Sequence, residues 1–187
     1  MTRLLKVLLA VGVCLTTLVQ TAHATPQLDS LKPGSLQAVC CPAMPRWTMT
    51  GWAWPLPGSH ITQRYNSKHP GLDLSAPVGS QVRAVANGVV RYAADTGGPY
   101  GKLVIVRHVS GCETWYAHLN TIEVHGRQAI PSGKSLGQMG GTGNAQGWHL
   151  HLEVRAATSG GAATVQIDPW LCLTSARKTH RHQGVDE

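Results

Sequence analysis

Phenylalanine is absent from the 187 residues, and Trp and Tyr together supply only 5%. Leu, Val and Trp must therefore fill whatever core the chain builds. Several other absences narrow the function. No stripe of Lys and Arg interleaved with aromatics occurs, so a nucleic-acid partner is not expected. The one basic cluster, Arg177-Lys178-His180-Arg181-His182, lies at the very end of the chain. No Gly-rich loop has P-loop or Rossmann spacing, which removes a nucleotide cradle. No Gly-x-Ser-x-Gly motif offers a serine nucleophile. No apolar run reaches the roughly 20 residues that a membrane-spanning helix needs.

The longest apolar run, VLLAVGVCLTTLV, follows two positive charges in MTRLLK and precedes Ala22-His23-Ala24. Charge, apolar stretch and small-x-small site in that order are the layout of a secretory signal peptide, cut after Ala24. The alternative is an uncleaved anchor. Cys14 lies mid-run and far from the cut, so it is not a lipid-attachment cysteine. Taking Arg3 and Lys6 from the 16 basic residues leaves 14 against 9 acidic ones, a net charge of +5. An exported protein of that sign is attracted to anionic polymers such as cell-wall material.

Cysteine is sparse as well. Beyond residue 24 there are four: Cys40, Cys41, Cys112 and Cys172. An even number behind an export signal reads as two disulfides, and an oxidising space such as a Gram-negative periplasm suits them. Adjacent α-carbons are only about 3.8 Å apart, too close for an easy bond between Cys40 and Cys41. Each is expected to reach one of Cys112 and Cys172, with both pairings open. Neither Cys112 nor Cys172 has a second ligand at metal-binding spacing.

What is present is turn chemistry and short strands. Residues 25–58, rich in Pro and Trp, read as an irregular N-terminal arm. From Ile61 the pattern changes to Gln81–Ala86, Val89–Ala94, Leu103–His108, Glu113–Leu119 and His149–Arg155. These stretches are β-branched, aromatic or alternating, and Gly, Pro and Asn punctuate them. Such spacing predicts an all-β domain over residues 59–174, an antiparallel sheet closed into a sandwich or open barrel. Residues 175–187 read as a basic, disordered tail.

Ten histidines stand out against this background. His69-Pro-Gly-Leu-Asp73 places an imidazole and a carboxylate four apart across a Pro-Gly turn that can aim both at one point, and both suit Zn²⁺. In His149-Leu-His-Leu-Glu-Val-Arg155 a strand sends His149, His151, Glu153 and Arg155 to one face and the apolar residues to the other. His118 lies in Trp115-Tyr-Ala-His-Leu119. Three ligands including a carboxylate, with a fourth position open, is the layout of a catalytic zinc, and further histidines can move protons. His60, His108, His125, His180 and His182 fall outside these clusters and are read as structural or solvated.

The order His-x-x-x-Asp, Tyr-Ala-His-Leu, then Gly-x-His-Leu-His-x-Glu-Val resembles the lysostaphin-type (LytM-like) zinc endopeptidases, which cut peptidoglycan cross-links. The likeness runs from about Gly58 to Leu173 and includes HPGLDLSAPVGSQVRAVANGVV, YGKLVIVRH and a closing IDPWL. It implies His69, Asp73 and His151 as zinc ligands and His118 and His149 as catalytic histidines, with the division of labour between those two left open. It further implies a groove for an extended peptide, with Tyr65 as a nearby helper. The expected protein is a monomeric zinc metalloendopeptidase of the periplasm with peptidoglycan as partner and no stable membrane anchor after cleavage. Its rival is a catalytically silent cell-wall-binding regulator of a peptidoglycan amidase.

Overall fold

The computed structural model describes residues 52–157 and 164–180, the last six of these by backbone alone. The expected signal peptide, most of the arm with Cys40 and Cys41, and the end of the basic tail lie outside the described residues. Among the described residues, no helix is long and apolar enough to cross a membrane.

Among the described residues there are ten strands and one helix. They are β1 (His60–Gln63), β2 (Leu72–Ser75), β3 (Gln81–Arg83), β4 (Gly88–Asp95), β5 (Lys102–His108), β6 (Glu113–Ile122), β7 (Ala129–Ile130), β8 (Ser135–Met139), β9 (Leu150–Ala157), β10 (Thr164–Ile167) and α1 (Pro169–His180). The strands form one open antiparallel sheet in the order β1-β2-β9-β6-β5-β4-β7. In addition β10 pairs with β9, and β8 joins β6 to β3. This matches the expected all-β, antiparallel architecture.

Alternation decides which face is buried. Leu150, Leu152 and Val154 of β9, Leu72 and Leu74 of β2 and Val104 and Val106 of β5 are buried with Tyr116. Val82, Leu136 and Met139 of β3 and β8 close over them in the same cluster. The opposite face of β9 and β6 is not the wet surface that amphipathic alternation suggests. Glu153 is fully buried there, and His151 nearly so.

Two boundaries shift from expectation. Trp52 and Leu56 are buried in the core. Ala53 donates its N–H to Val85 O, and Arg83 donates to Pro55 O. The end of the arm is thus part of the domain. At the other end a helix that the all-β reading did not include runs from Pro169 to His180, across the expected start of the tail at residue 175. Asp168 caps this helix, its Oδ1 accepting the Trp170 N–H at 2.9 Å, with Pro169 at the first helical position.

Of the cysteines, Cys112 is buried and disulfide-bonded. Cys172 is buried in α1, its Sγ 3.9 Å from Asp168 O.

Candidate metal centre

Register brings the site together. β9 lies between β2 and β6, so His151 stands opposite Asp73 on one side and Ala117 on the other. His69 arrives from the turn before β2. Asn66 Oδ1 accepts the backbone N–H of Lys68 and of His69 at 2.9 and 3.1 Å, folding this turn back on itself. His69 Nε2 is 3.1 Å from Asp73 Oδ1 and 3.2 Å from His151 Nδ1, and His151 Nδ1 is 2.7 Å from Asp73 Oδ1. Ligands of a tetrahedral zinc at about 2.0–2.2 Å stand roughly 3.3–3.6 Å from one another. Two imidazole nitrogens and a carboxylate oxygen already converge to nearly that spacing, so the residues fit the metal.

Gly71 permits this approach. A Cβ there would meet the His151 ring at 2.5 Å and Leu152 O at 2.7 Å.

His118 is carried by a defect in β6. Lys102 pairs with Leu119 but Val104 with Tyr116, so two residues of β6 face one of β5. This bulge puts His118 at φ 61°, left-handed and unusual for a side-chain-bearing residue. Its N–H donates to Tyr100 O at 2.9 Å, and its Nδ1 bonds Thr142 O at 2.8 Å. The Thr142 loop seats tightly because Gly143 and Gly101 touch backbone to backbone, both with positive φ. β6 leaves β9 for β8 at this point, and the bend turns the imidazole toward the cleft.

His149 stands one residue before β9, its N–H donating to Gly140 O. Its Nδ1 bonds Gly147 O at 3.1 Å and its Nε2 is 3.7 Å from Asp73 Oδ2. The His118 and His149 rings are 4.8 Å apart, edge to face.

These bonds assign tautomers. A carbonyl only accepts, so His69, held at Nδ1 by Arg64 O at 3.2 Å, and His118 and His149 all carry hydrogen on Nδ1. Each presents the Nε2 lone pair. His151 is reversed: its Nε2 bonds Glu153 Oε1 at 3.2 Å, which leaves Nδ1 for the cluster.

The charges follow from the same contacts. Burial raises the Asp73 carboxyl, but the hydrogen bond and charge of His151, backed by His69 and His149, bring it below its usual range. Burial opposes charge on His151, yet bonds to Asp73 and Glu153 push it up to about 9. Burial lowers His118, and the Thr142 carbonyl only partly offsets this.

All five expected histidine and aspartate positions line one cleft of about 760 Å³, together with Lys68, Tyr100 and Trp148. Tyr65 is half-buried in the preceding loop and does not line it. Tyr100, which motif reasoning passed over, does; its signal was the Tyr-Gly that opens YGKLVIVRH.

Residues 67–169 match peptidase family M23. Among curated relatives, the cell division protein DipM of Caulobacter vibrioides is 36% identical over 126 residues, 65% of this chain and 21% of that protein. The DD-carboxypeptidase/endopeptidase Mpg of Neisseria meningitidis is 42% identical over 87 residues, 46% of this chain and 20% of that one. The murein hydrolase activator NlpD of Salmonella typhimurium is 32% identical over 109 residues, 57% of this chain and 29% of that one. The chain thus spans about a fifth of the length of the first two. A crystallised Pseudomonas aeruginosa protein described as an M23 peptidase superposes with TM-score 0.56 at 30% identity, covering 65% of this chain and 49% of that one. Lysostaphin in solution gives 0.58 at 23% identity, covering 69% and 56%, a likeness of fold.

Proposed function

The chain belongs to peptidase family M23, and from that premise we propose that it is an exported zinc metalloendopeptidase hydrolysing peptide cross-links of peptidoglycan. One observation carries the reading. His69, Asp73 and His151 converge within metal-binding distance while His118 and His149 turn their free Nε2 atoms into the same cleft.

His69 Nε2, Asp73 Oδ1 and His151 Nδ1 would hold the metal, leaving a fourth position open to the cleft. Zn²⁺ bound there supplies Lewis acidity, lowering the pKa of water toward about 7 and polarising a peptide carbonyl. His118, kept neutral by burial, is suited to accept the proton of the attacking water at Nε2. His149, whose Nε2 opens onto the same cleft 3.7 Å from Asp73 Oδ2, is placed to take up a proton at that nitrogen during the reaction, hydrogen-bond the developing oxyanion and pass the proton to the leaving amine. The compartment proposed is the Gram-negative periplasm, supported by the leader, the four later cysteines and the bacteria in which the relatives occur.

The name of the Salmonella relative, a murein hydrolase activator, favours a second reading as a silent regulator of a wall amidase. Metal analysis and mass spectrometry of muropeptides after digestion with the purified protein separate the two. The peptidase reading expects bound zinc and new peptide ends; His118→Ala and His149→Ala abolish cleavage and keep zinc, and His151→Ala loses both. Active His118 and His149 variants overturn the assigned roles. A zinc-free protein that cuts nothing but stimulates an amidase establishes the second reading.

A further inference from the structure

Beneath the metal cluster lies a polar ring to which the proposed chemistry gives no task. Glu153 is fully shut away from water. Its Oε1 accepts from the Tyr100 hydroxyl at 2.8 Å and from His151 Nε2 at 3.2 Å, and its Oε2 accepts from Arg155 Nε at 2.6 Å. Arg155 closes the ring by donating from Nη2 to the Tyr100 oxygen at 2.9 Å, while its guanidinium lies 3.6 Å over the Trp115 ring.

A buried carboxylate is costly to keep unless its partners are well placed, and an apolar residue of similar volume often serves a core equally well. Here the partners are well placed and face one way. Two donors, Tyr100 and Arg155, hold the two carboxylate oxygens, and Oε1 also faces the one histidine that binds in reverse. Without an acceptor at Nε2, the His151 proton could sit on either nitrogen and the ring could turn over. Nδ1 would then no longer be the atom offered to the cluster.

We propose that Glu153, clamped by Tyr100 and Arg155, is a positioning residue that fixes the tautomer and rotation of His151 so that Nδ1 faces the metal. Tyr100 extends the effect to the other side of the cleft, since its carbonyl receives the His118 N–H in the bulge of β6. The inference rests on the zinc reading of the cleft. A merely structural role would have the ring tie β9 to the β4–β5 turn, with no preference for metal.

The test measures zinc affinity by competition with a chromophoric chelator, the visible spectrum of the cobalt-substituted protein, and melting in the presence of strong chelator. Glu153→Gln keeps the size of the side chain but turns an NH₂ toward one of three donors. Tyr100→Phe keeps the ring and removes one donor. Leu152→Ala weakens the same strand from its apolar side. Glu153→Gln is expected to weaken zinc about 10–100-fold and to alter the cobalt spectrum. Tyr100→Phe should shift both the same way by less, and Leu152→Ala should lower melting while holding zinc nearly as before. Unchanged affinity and spectrum in Glu153→Gln overturns the role. So does a loss of zinc in Glu153→Gln and Leu152→Ala alike, in proportion to lost stability. Should the unaltered protein take up no zinc at all, the metal reading itself is lost.

Discussion

At the scale of single residues, the metal cluster depends on an atom that is missing. Gly71 has no Cβ, and the His151 ring occupies the space where one would be. Gly71→Ala is therefore expected to push the imidazole off its line to Asp73 and His69, costing on the order of tenfold or more in zinc affinity. Gly79 provides the contrast. It has φ +82° with nothing within 4 Å of its Cβ position, so Gly79→Ala should cost about 1–2 kcal/mol of backbone strain and leave zinc alone. Chelator competition on both variants, read beside urea midpoints, checks this; equal zinc loss in the two would defeat it. The same contact shows how far the motif could be read. His-Pro-Gly-Leu-Asp announces a turn with two ligands, but nothing in those five letters says that a ring from position 151 rests against the glycine. The tautomers were equally silent, because carbonyls of Arg64, Thr142 and Gly147 set them, and sequence carries no sign of where a carbonyl will point.

At the scale of elements, the alternation of β9 was legible because a period of two is local. The bulge in β6 was not. His118 holds a positive φ without being glycine, and Tyr100 O and Thr142 O, from two other segments, hydrogen-bond it there. α1 was missed: Ile-Asp-Pro-Trp-Leu counted only toward the family likeness, although Asp168 caps the helix and Pro169 opens it. Its role reaches the site through one side chain. The Arg64 guanidinium lies 4.4 Å over Trp170, and Trp54 meets Trp170 edge to face at 6.4 Å. The Arg64 carbonyl accepts the Nδ1 hydrogen of His69. The helix thus steadies the loop that carries a ligand. A double-mutant cycle of Arg64→Ala and Trp170→Ala, followed by urea unfolding, should give a coupling of about 0.5–1 kcal/mol, as cation–π pairs at exposed sites do. Zinc should also leave each variant faster. A coupling near zero would mean that the stacking holds nothing.

At the scale of the whole molecule, a chain without phenylalanine fills its centre with aliphatic side chains and a fully buried tyrosine, and a tyrosine brings a hydroxyl that must be bonded. Tyr116 Oη receives the Val85 N–H at 3.0 Å and lies 3.0 Å from Thr114 Oγ1, which is 2.8 Å from His108 Nε2. His108 Nδ1 ends the chain on Asn87 O at 2.9 Å, with Trp52 packed against its ring. Sequence alone placed His108 among the structural or solvated histidines; the fold makes it structural, the terminus of a buried polar line that ties β5 and β6 to the segment between β3 and β4. Its protonation should therefore be felt as stability. Burial holds His108 below its ordinary value of 6.5, more strongly than the Asn87 carbonyl and Glu113 raise it. The unfolded chain takes up this proton near pH 6.5, while the folded one does so only at lower pH. The stability contribution is therefore complete above pH 6.5 and is lost as pH falls from there through the folded value. Guanidinium or urea midpoints measured every half unit from pH 8 to 5 should fall across that window. In His108→Gln, which keeps polar contacts but cannot titrate, the fall should be shallower, and the difference between the two curves isolates this group from the carboxylates and the other histidines. Parallel curves would show that His108 is protonated as easily inside the fold as outside it.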